Sequence, residues 1–258
     1  MVGTRLLGGC SPAFVPCYTC KGKAMMAGNQ QELKRRVASE AAKRITSGMR
    51  LGLGSGSTVG LVVAALGEQL HHGDLHDLKI VAASTRTEAA MAQVGLPLAT
   101  LDEYPELDLA IDGADEVDPQ FAMIKGGGGA LLRERIVLAA AAERLIVIDE
   151  SKVVPVLGTR WSVPVEVVRF GSRVAEHALR ALGSEPVLRT RGGAPVITDE
   201  GDYILDCAFG PISDPERLAA RISGQPGVVA HGIFIDLVDR LLIAGSNGVE
   251  TRQRPAQR

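Results

Sequence analysis

Five short apolar segments, separated by stretches with helical periodicity, constrain the fold of this 258-residue chain more than any other feature. Each is short enough to form a buried strand, and helical patterns follow the first three of them. The segments span residues 49–53, 78–83, 107–111, 145–148 and 240–244. A strand–helix–strand rhythm of this kind predicts a parallel sheet with right-handed crossovers. We therefore predict an α/β fold whose main part is a Rossmann-like parallel sheet domain.

The pattern changes after Trp161. A strand, a helix, two strands, a helix and a strand follow in order, with Asp214 predicted to cap the second helix before Pro215. These elements are predicted at residues 163–168, 172–182, 186–189, 203–207, 214–222 and 228–235. The order βαββαβ predicts a small ferredoxin-like α+β lobe. We place this lobe at residues 161–236, inserted in a Rossmann-like domain made of residues 29–160 and 237–258.

The two ends of the chain lack strong periodicity. Residues 1–28 contain no Asp or Glu, and we predict that they form a disordered extension or lie upstream of the true start, since Met25 and Met26 precede the first predicted helix. The first helix is predicted over residues 31–46, where apolar residues recur every four positions. The polar tail after Glu250 is predicted to be frayed.

Composition excludes several classes of partner. The net charge is −2 and aromatic residues make up 3% of the chain, which argues against a nucleic-acid partner. The sequence contains no run of about 18 apolar residues, so we predict no membrane helix. Three of the four cysteines lie within the first twenty residues and only Cys207 lies in the body, as expected in a reducing compartment. We expect a cytoplasmic protein rather than a plastid one. Cys17 and Cys20 could bind metal, but no second pair accompanies them.

The segment GSGST at residues 54–58 follows the first strand and begins a helix. Glycines there let backbone N–H groups face an anion, and the helix N-terminus favours negative charge. The dinucleotide pattern G-x-G-x-x-G fails at Ser57, and the second strand ends without the acid that binds a ribose. We therefore favour a phosphate monoester as ligand; a plain tight turn is the alternative.

Charged residues cluster after the third strand. Asp112 and Asp115 end that strand, and Lys125 with four glycines precedes a helix that contains Glu134. Acids, a cation and free backbone N–H groups can converge there on one small molecule, because ligands of open α/β sheets bind at the carboxyl ends of strands. A solvated acidic turn or a magnesium site is an alternative for the aspartates, although Lys125 already supplies positive charge.

The remaining candidates have ordinary alternatives as well. The glycines at 126–129 could form a surface loop, but their entropic cost suggests close approach to a ligand. Glu134 could be a favourable acid in the first turn of a helix, and Lys152 could be a surface lysine. Arg133 and Arg135 are predicted to be solvated charges.

Together these segments resemble ribose-5-phosphate isomerase of the A type. The resemblance runs from about residue 30 to residue 248 and rests on five ordered motifs. They are GSGST at 54–58, IDGADE at 111–116, IKGGGG at 124–129, LRERI at 132–136 and DESK at 149–152. Gly129 stands where many family members have alanine, and Ser55 replaces a common threonine.

The resemblance implies an activity and roles for residues. Such an enzyme interconverts ribose 5-phosphate and ribulose 5-phosphate through an enediolate, in the non-oxidative branch of the pentose phosphate pathway, without a metal or an organic cofactor. By position, Glu134 is the base, and Lys125 with the N–H groups of the glycine loop stabilises the enediolate. Asp112 and Asp115 would hold sugar hydroxyls, and Asp112 could assist ring opening.

The resemblance also implies the remaining contacts to the sugar phosphate. The phosphate would be held by Ser55, Gly56, Ser57, Thr58 and Lys152. Other expected substrate contacts come from Gly113, Ala114, Gly126, Gly127 and Gly128. The small lobe would mediate subunit contacts, so a homodimer or homotetramer is expected.

Two other functions are alternatives for a chain of this pattern. A sugar-phosphate-sensing regulatory module would need an upstream DNA-binding domain, and only about 28 unpatterned residues precede the first predicted helix. An acyl-CoA transferase of similar fold would use a glutamate as a covalent nucleophile, and the segments at 112–115 and 125–128 speak against it.

Overall fold

A computed structural model of the protein describes residues 18–255, with side chains from residue 29 onward. The helices are α1 Tyr18–Ala42, α2 Ser57–His72, α3 Thr85–Gln93, α4 Leu131–Ala139, α5 Ser172–Ala181 and α6 Pro215–Ser223, with a 3₁₀ turn at Glu150–Lys152. The first strands are β1 Arg50–Leu53, β2 Lys79–Ala82, β3 Leu107–Asp112, β4 Glu116–Val117, β5 Met123–Ile124, β6 Ala141–Asp149, β7 Val163–Val167 and β8 Glu185–Leu188. Strands β9 Thr190–Arg191, β10 Ala194–Pro195, β11 Tyr203–Ala208, β12 Val228–His231, β13 Ile233–Phe234, β14 Arg240–Gly245 and β15 Gly248–Gln253 complete the described chain.

The central sheet has the strand order β15-β14-β6-β3-β1-β2. All neighbours pair in parallel except β14 and β15, which form an antiparallel hairpin. The chain runs outward from β1 to β2 and then returns to β3 on the other side of β1. This reversal is a topological switch point, where open α/β sheets bind ligands. The predicted Rossmann-like parallel sheet is confirmed.

Alternating residues of the strands contribute their side chains to two apolar cores. Leu109 and Ile111 of β3 face a core shared with α1 and α2, whereas Ala110 faces a core shared with α4. On the α4 side, a Cβ at Gly52 would lie 2.5 Å from Val137 Cγ1. Glycine at this position therefore lets α4 approach β1 closely, and α4 carries Glu134.

The second sheet has the order β12-β7-β11-β8 with every pairing antiparallel. Helices α5 and α6 complete the order βαββαβ, and their buried residues Leu179 and Ile222 share a core with β7 and β11. This arrangement confirms the predicted ferredoxin-like lobe.

A third sheet, β13-β5-β4, was not predicted. The predicted strand at 228–235 divides at Gly232, so that β12 belongs to the lobe while β13 pairs with β5, directly before Lys125. A Cβ at Gly232 would lie 2.3 Å from the carbonyl oxygen of Lys125, so only glycine fits at the division.

Three further predictions differ from the structure. Helix α1 begins at Tyr18 rather than residue 31 and ends at Ala42, so the predicted disordered extension is helical from Tyr18 onward. Residues 1–17 lie outside the described part. The tail is not frayed at residue 250, because β15 pairs with β14 as far as Gln253. Within the described chain, none of the helices combines the length and the apolar character that a membrane crossing requires.

Candidate functional site

A pocket opens where β1, β3 and β6 end. Its lining comes from the loops after these strands, from the glycine loop at residues 125–129, and from the first turn of α4. The lining residues are Lys34, Ser55, Gly56, Ser57, Thr58, Gly113, Ala114, Asp115, Lys125, Gly126, Gly127, Gly128, Glu134, Val147, Ile148, Asp149 and Lys152. The structure thus brings together every predicted site residue except Asp112, which lies directly behind the pocket wall.

The loop before α2 presents backbone and hydroxyl donors to the pocket. Gly56, with φ +103°, precedes the first helical residue, Ser57. Behind the loop, the Ser84 hydroxyl donates to Ser55 Oγ at 3.2 Å, and Thr87 Oγ1 donates to the Gly54 carbonyl at 2.8 Å. The loop is therefore fixed from the protein side, and the N-terminus of α2 remains directed at the pocket, where an anion is favoured.

Lys125 lies between two buried carboxylates. Its Nζ is 2.8 Å from Asp112 Oδ2 and 3.5 Å from Glu134 Oε2, and it also donates to the Gly113 carbonyl. Asp112 is held in turn, because its Oδ1 accepts from the backbone N–H groups of Ser55 at 3.2 Å and Gly113 at 2.7 Å. The cluster thus contains one cation and two acids, all of them almost fully buried.

Burial sets the acidity of this cluster. Removal from water, with the nearby Asp112 charge in addition, raises the pKa of Glu134 to about 8 in spite of Lys125. Burial also raises the pKa of Asp112, against the opposing effect of Lys125. Burial alone would lower the pKa of Lys125, but Asp112 and Glu134 outweigh it and the pKa is raised. Lys125 is therefore a cation, and Glu134 can take up and release a proton near neutral pH.

Asp115 and the glycine loop form another wall of the pocket. Asp115 Oδ2 accepts from the Gly127 N–H at 2.8 Å, and the Gly129 N–H donates to the Gly126 carbonyl at 3.1 Å. Gly126 has φ +102°, and a Cβ there would lie 2.9 Å from Leu131 Cβ. The loop is thus folded against α4 rather than extended over the surface.

The three acids that follow one another at the end of β3 do not all line the pocket. Asp112 contacts Lys125 and backbone amides, so the sugar-hydroxyl contact predicted for it is not open in this arrangement. Asp115 lines the pocket. Glu116 points away and accepts from the backbone N–H groups of Gly158, Arg160 and Trp161, which anchors the segment that follows Lys152.

Arg133 and Arg135 are not the solvated charges that the sequence predicted. Arg133 pairs with Glu200 at 2.5 Å and lies 3.5 Å from Glu88. Arg135 donates to the carbonyls of His231 and Ile233 at 2.7 and 2.8 Å and lies 4.2 Å from the centroid of the Phe234 ring. Both arginines therefore attach α4 to surrounding chain segments.

Sequence reasoning missed two charged residues that line the pocket. Lys34 projects from α1 and donates to Ser57 Oγ at 3.0 Å. Asp149 is buried and accepts from Ser151 N at 3.0 Å, which orders the 3₁₀ turn that carries Lys152. Lys34 carried no local signal, because it is one of several charged residues on the polar positions of α1. The DESK motif contained Asp149, but only Lys152 was assigned a role.

The arrangement suits proton transfer on a small anionic molecule. A carboxylate whose pKa lies near neutrality can act as a base, and a lysine beside it can stabilise a developing oxyanion. The loop at residues 54–58, where the N-terminus of α2 favours an anion, lies at one side of the same pocket. Among residues 29–255, no group of three or more His, Cys, Asp and Glu side chains is arranged to hold a metal ion.

Comparison with known proteins gives a consistent result. The sequence model of the family described as ribose 5-phosphate isomerase A (phosphoriboisomerase A) matches residues 79–248. Ribose-5-phosphate isomerase A of Synechococcus sp. (strain JA-3-3Ab) is 50% identical over 222 residues, which cover 85% of this chain and 96% of that protein.

Solved structures agree with the sequence matches. The structure of ribose 5-phosphate isomerase A from Methanocaldococcus jannaschii has a TM-score of 0.83 at 40% identity and covers 87% of this chain and 99% of that one. A D-ribose-5-phosphate isomerase in complex with phospho-erythronic acid has a TM-score of 0.84 at 35% identity, with the same coverage of both chains.

Proposed function

The chain belongs to the ribose 5-phosphate isomerase A family, and from that premise we propose how its pocket interconverts ribose 5-phosphate and ribulose 5-phosphate. The observation that carries the proposal is the buried contact of Lys125 with Asp112 and Glu134 at the edge of a phosphate-binding loop. The reaction belongs to the non-oxidative branch of the pentose phosphate pathway.

Glu134 is the base of the proposed reaction. Its carboxylate takes the proton from C2 of the open-chain aldose, and the electrons of that bond move to form the enediolate. Glu134 then returns the proton to C1, while a hydroxyl proton passes from O2 to O1. A base with a pKa of about 8 is matched to this task near neutral pH, because it is neither too weak to take the proton nor too strong to return it.

Lys125 stabilises the negative charge that develops on the enediolate. It is held in place by Asp112, whose own position is fixed by two backbone N–H groups. A preorganised cation in a buried site stabilises charge more strongly than one in water. We assign Asp112 to this electrostatic support, since its carboxylate is turned to Lys125 and not to the pocket, and Asp115 to the sugar hydroxyls.

The substrate phosphate is bound by the loop at residues 55–58 and by Lys152, with Lys34 as an additional cation. Support comes from the position of Lys34 beside Ser57 and from Lys152, whose Nζ lies 5.0 Å from the centroid of the Trp161 ring. A phosphorylated sugar acid is bound in one solved relative, which fits the same chemistry. Backbone groups of Gly113, Ala114 and the glycine loop complete the contacts.

The enzyme assembles as a homodimer or homotetramer through its small lobe. Support comes from apolar side chains exposed on that lobe: Phe170 is 93% exposed, Val174 64% and Val168 40%. Exposed apolar residues close together mark surfaces that bind another protein. We place the enzyme in the cytoplasm, in keeping with the free and buried Cys207.

The Glu134→Gln variant tests the proposal. Glutamine keeps the shape of the side chain but cannot accept a proton. General-base catalysis contributes about 10²–10⁴-fold, so kcat should fall by at least that order, with little change in substrate binding. The variant should also lose exchange of the C2 hydrogen with deuterated water. Turnover and exchange are measured with ribose 5-phosphate as the sole substrate.

The matched control is Glu68→Gln, which changes an exposed glutamate on α2 and should leave both rates unchanged. If Glu134→Gln turns over or exchanges hydrogen at the wild-type rate, another carboxylate is the base. A wild-type protein that leaves ribose 5-phosphate unchanged would refute the function itself.

A further inference from the structure

The glycine loop at residues 126–129 needs contacts with other parts of the chain to hold its conformation. Its residues carry no side chains between Lys125 and Ala130, and glycine backbones lose more conformational freedom on folding than others. Within the pocket, Asp115 engages the Gly127 N–H. The carbonyl side of the same peptide groups faces the small lobe, where it meets Arg189.

Arg189 bridges the lobe to this loop. Its Nη1 donates to the Gly126 carbonyl at 2.9 Å and to the Gly127 carbonyl at 3.3 Å. Its Nε and Nη2 donate to the two carboxylate oxygens of Asp206 at 2.9 and 2.5 Å. Such a two-point pair fixes the plane of a guanidinium group, so Nη1 is directed at the loop.

The lobe sheet also fixes where this guanidinium stands. The Arg189 backbone N–H donates to the Ile204 carbonyl at 2.8 Å, directly after β8, and Asp206 lies on the neighbouring strand β11. The Arg189 side chain is only 15% exposed. Arg189 and Asp206 therefore both belong to the sheet of the lobe, whereas the glycine-loop peptide groups that they contact belong to the pocket.

Holding a carbonyl also orients the next N–H. The peptide bonds are trans, so the carbonyl of one residue and the N–H of the next point in opposite directions across one plane. With the Gly126 and Gly127 carbonyls turned toward Arg189, the N–H groups of Gly127 and Gly128 point away from it. The first reaches Asp115, and Gly128 belongs to the pocket lining.

We propose that Arg189, fixed by Asp206, is a positioning residue for the isomerase: it orients the peptide groups of the glycine loop that bind the enediolate oxygen and Asp115. This inference rests on the proposed function. It assigns the small lobe a part in catalysis, since the lobe supplies the guanidinium that shapes one wall of the pocket.

The Arg189→Ala variant of the full chain is the test, with ribose 5-phosphate as substrate. Misplaced oxyanion donors and displacements of about 1 Å each cost on the order of 10²-fold, so we expect kcat to fall by about 10- to 100-fold. KM should change much less, because the phosphate contacts lie elsewhere. Added guanidinium ion at millimolar concentration should restore part of the lost kcat, and sodium chloride at equal ionic strength should not.

Two further variants sharpen the result. Arg189→Lys keeps the charge but cannot bind Asp206 and the loop carbonyls together, so it should resemble Arg189→Ala. Asp206→Asn keeps Arg189 but removes the two-point contact with a carboxylate, so the guanidinium plane is less firmly fixed. This variant should exchange amide hydrogens faster over residues 126–129 and should lose part of kcat. It serves as the test if Arg189→Ala fails to fold.

The matched control is Arg191→Ala, which removes an exposed arginine two residues away on β9 and should behave as the wild type. A kcat of Arg189→Ala within about twofold of wild type, or a loss confined to KM, overturns the proposal. A kcat loss that guanidinium ion does not restore overturns it too. If the wild type and the Arg191→Ala variant are both inactive, the result refutes the proposed function instead.

Discussion

At the scale of single residues, the burial of Glu134 has a cost in stability. Its pKa is raised from about 4.5 to about 8, first by removal from water and then by the Asp112 charge. Between these two pH values the unfolded chain loses the proton that the folded site keeps. The free energy of unfolding that depends on this group therefore falls as the pH rises from 4.5 to 8.

This relation predicts the pH dependence of a stability difference. Glu134→Gln resembles the protonated acid at every pH, so it should melt at a higher temperature than wild type at pH 8 and at nearly the same temperature at pH 4.5. Thermal unfolding of both proteins across this range measures the difference. Glu68→Gln, at an exposed site, should show no such trend. A Glu134→Gln variant that melts below wild type at pH 8 would contradict the raised pKa.

At the scale of elements, the chain is tightly packed where β1 and β3 end, because Gly54 lies directly against the Asp112 side chain. A Cβ at Gly54 would lie 1.9 Å from Asp112 Cγ. Gly54→Ala must therefore push Asp112 away from Lys125 and from the Ser55 N–H. We expect a loss of kcat by at least an order of magnitude and a lower melting temperature, because a buried ion pair is disturbed.

Gly60→Ala is the matched control for this prediction. Gly60 lies on the exposed side of α2, and a Cβ there would meet nothing within 4 Å. Alanine should stabilise the helix by about 1 kcal/mol and leave activity unchanged. Steady-state kinetics and thermal unfolding of both variants compare the two glycines; equal behaviour would show that the contact of Gly54 with Asp112 is unimportant.

The sequence was informative about elements and less so about contacts between them. Apolar runs predicted the five parallel strands of the central sheet, and the order βαββαβ predicted the lobe, because both signals are local. The two-residue strands β4 and β5 left no periodic signal, since a strand this short has no alternation to detect. The predicted strand at 228–235 covered β13 but did not show the division at Gly232.

The site shows the same limit. Glu134, Lys125 and Asp115 come from motifs and meet in one pocket, as predicted. Lys34 and Arg189 are brought to the pocket or its loop by the packing of α1 and of the lobe, over long separations in sequence. The buried position of Asp112 depends on Gly54, and a cluster of acids after a strand does not reveal which of them turns inward.

At the scale of the whole molecule, the lobe has two features that lie outside its own core. One is Arg189, which contacts the glycine loop, and the other is the exposed apolar pair of Phe170 and Val174. If this exposed pair joins subunits, Phe170→Asp should shift the protein to a smaller assembly, because a charge would be buried without a partner. Light scattering coupled to size-exclusion chromatography measures the mass.

Leu98→Asp is the control for this variant. Leu98 is 56% exposed and belongs to the other part of the molecule, so its replacement should leave the assembly unchanged. An unchanged mass for Phe170→Asp, or dissociation by Leu98→Asp instead, would place the subunit contact outside the lobe.

The pairing of β13 with β5 has a consequence for the time at which the protein becomes an enzyme during its synthesis. The backbone N–H of Lys125 donates to the Gly232 carbonyl at 2.9 Å, and β13 follows directly. These partners are synthesised long after Lys125 itself, because Gly232 follows it by 107 residues. A nascent chain that ends before β13 can pair β1, β2, β3 and β6 of the central sheet, but it cannot form the sheet β13-β5-β4 that directly precedes Lys125. We therefore expect catalytic competence only after β13 has been synthesised, so shorter nascent chains should not act on the sugar phosphate.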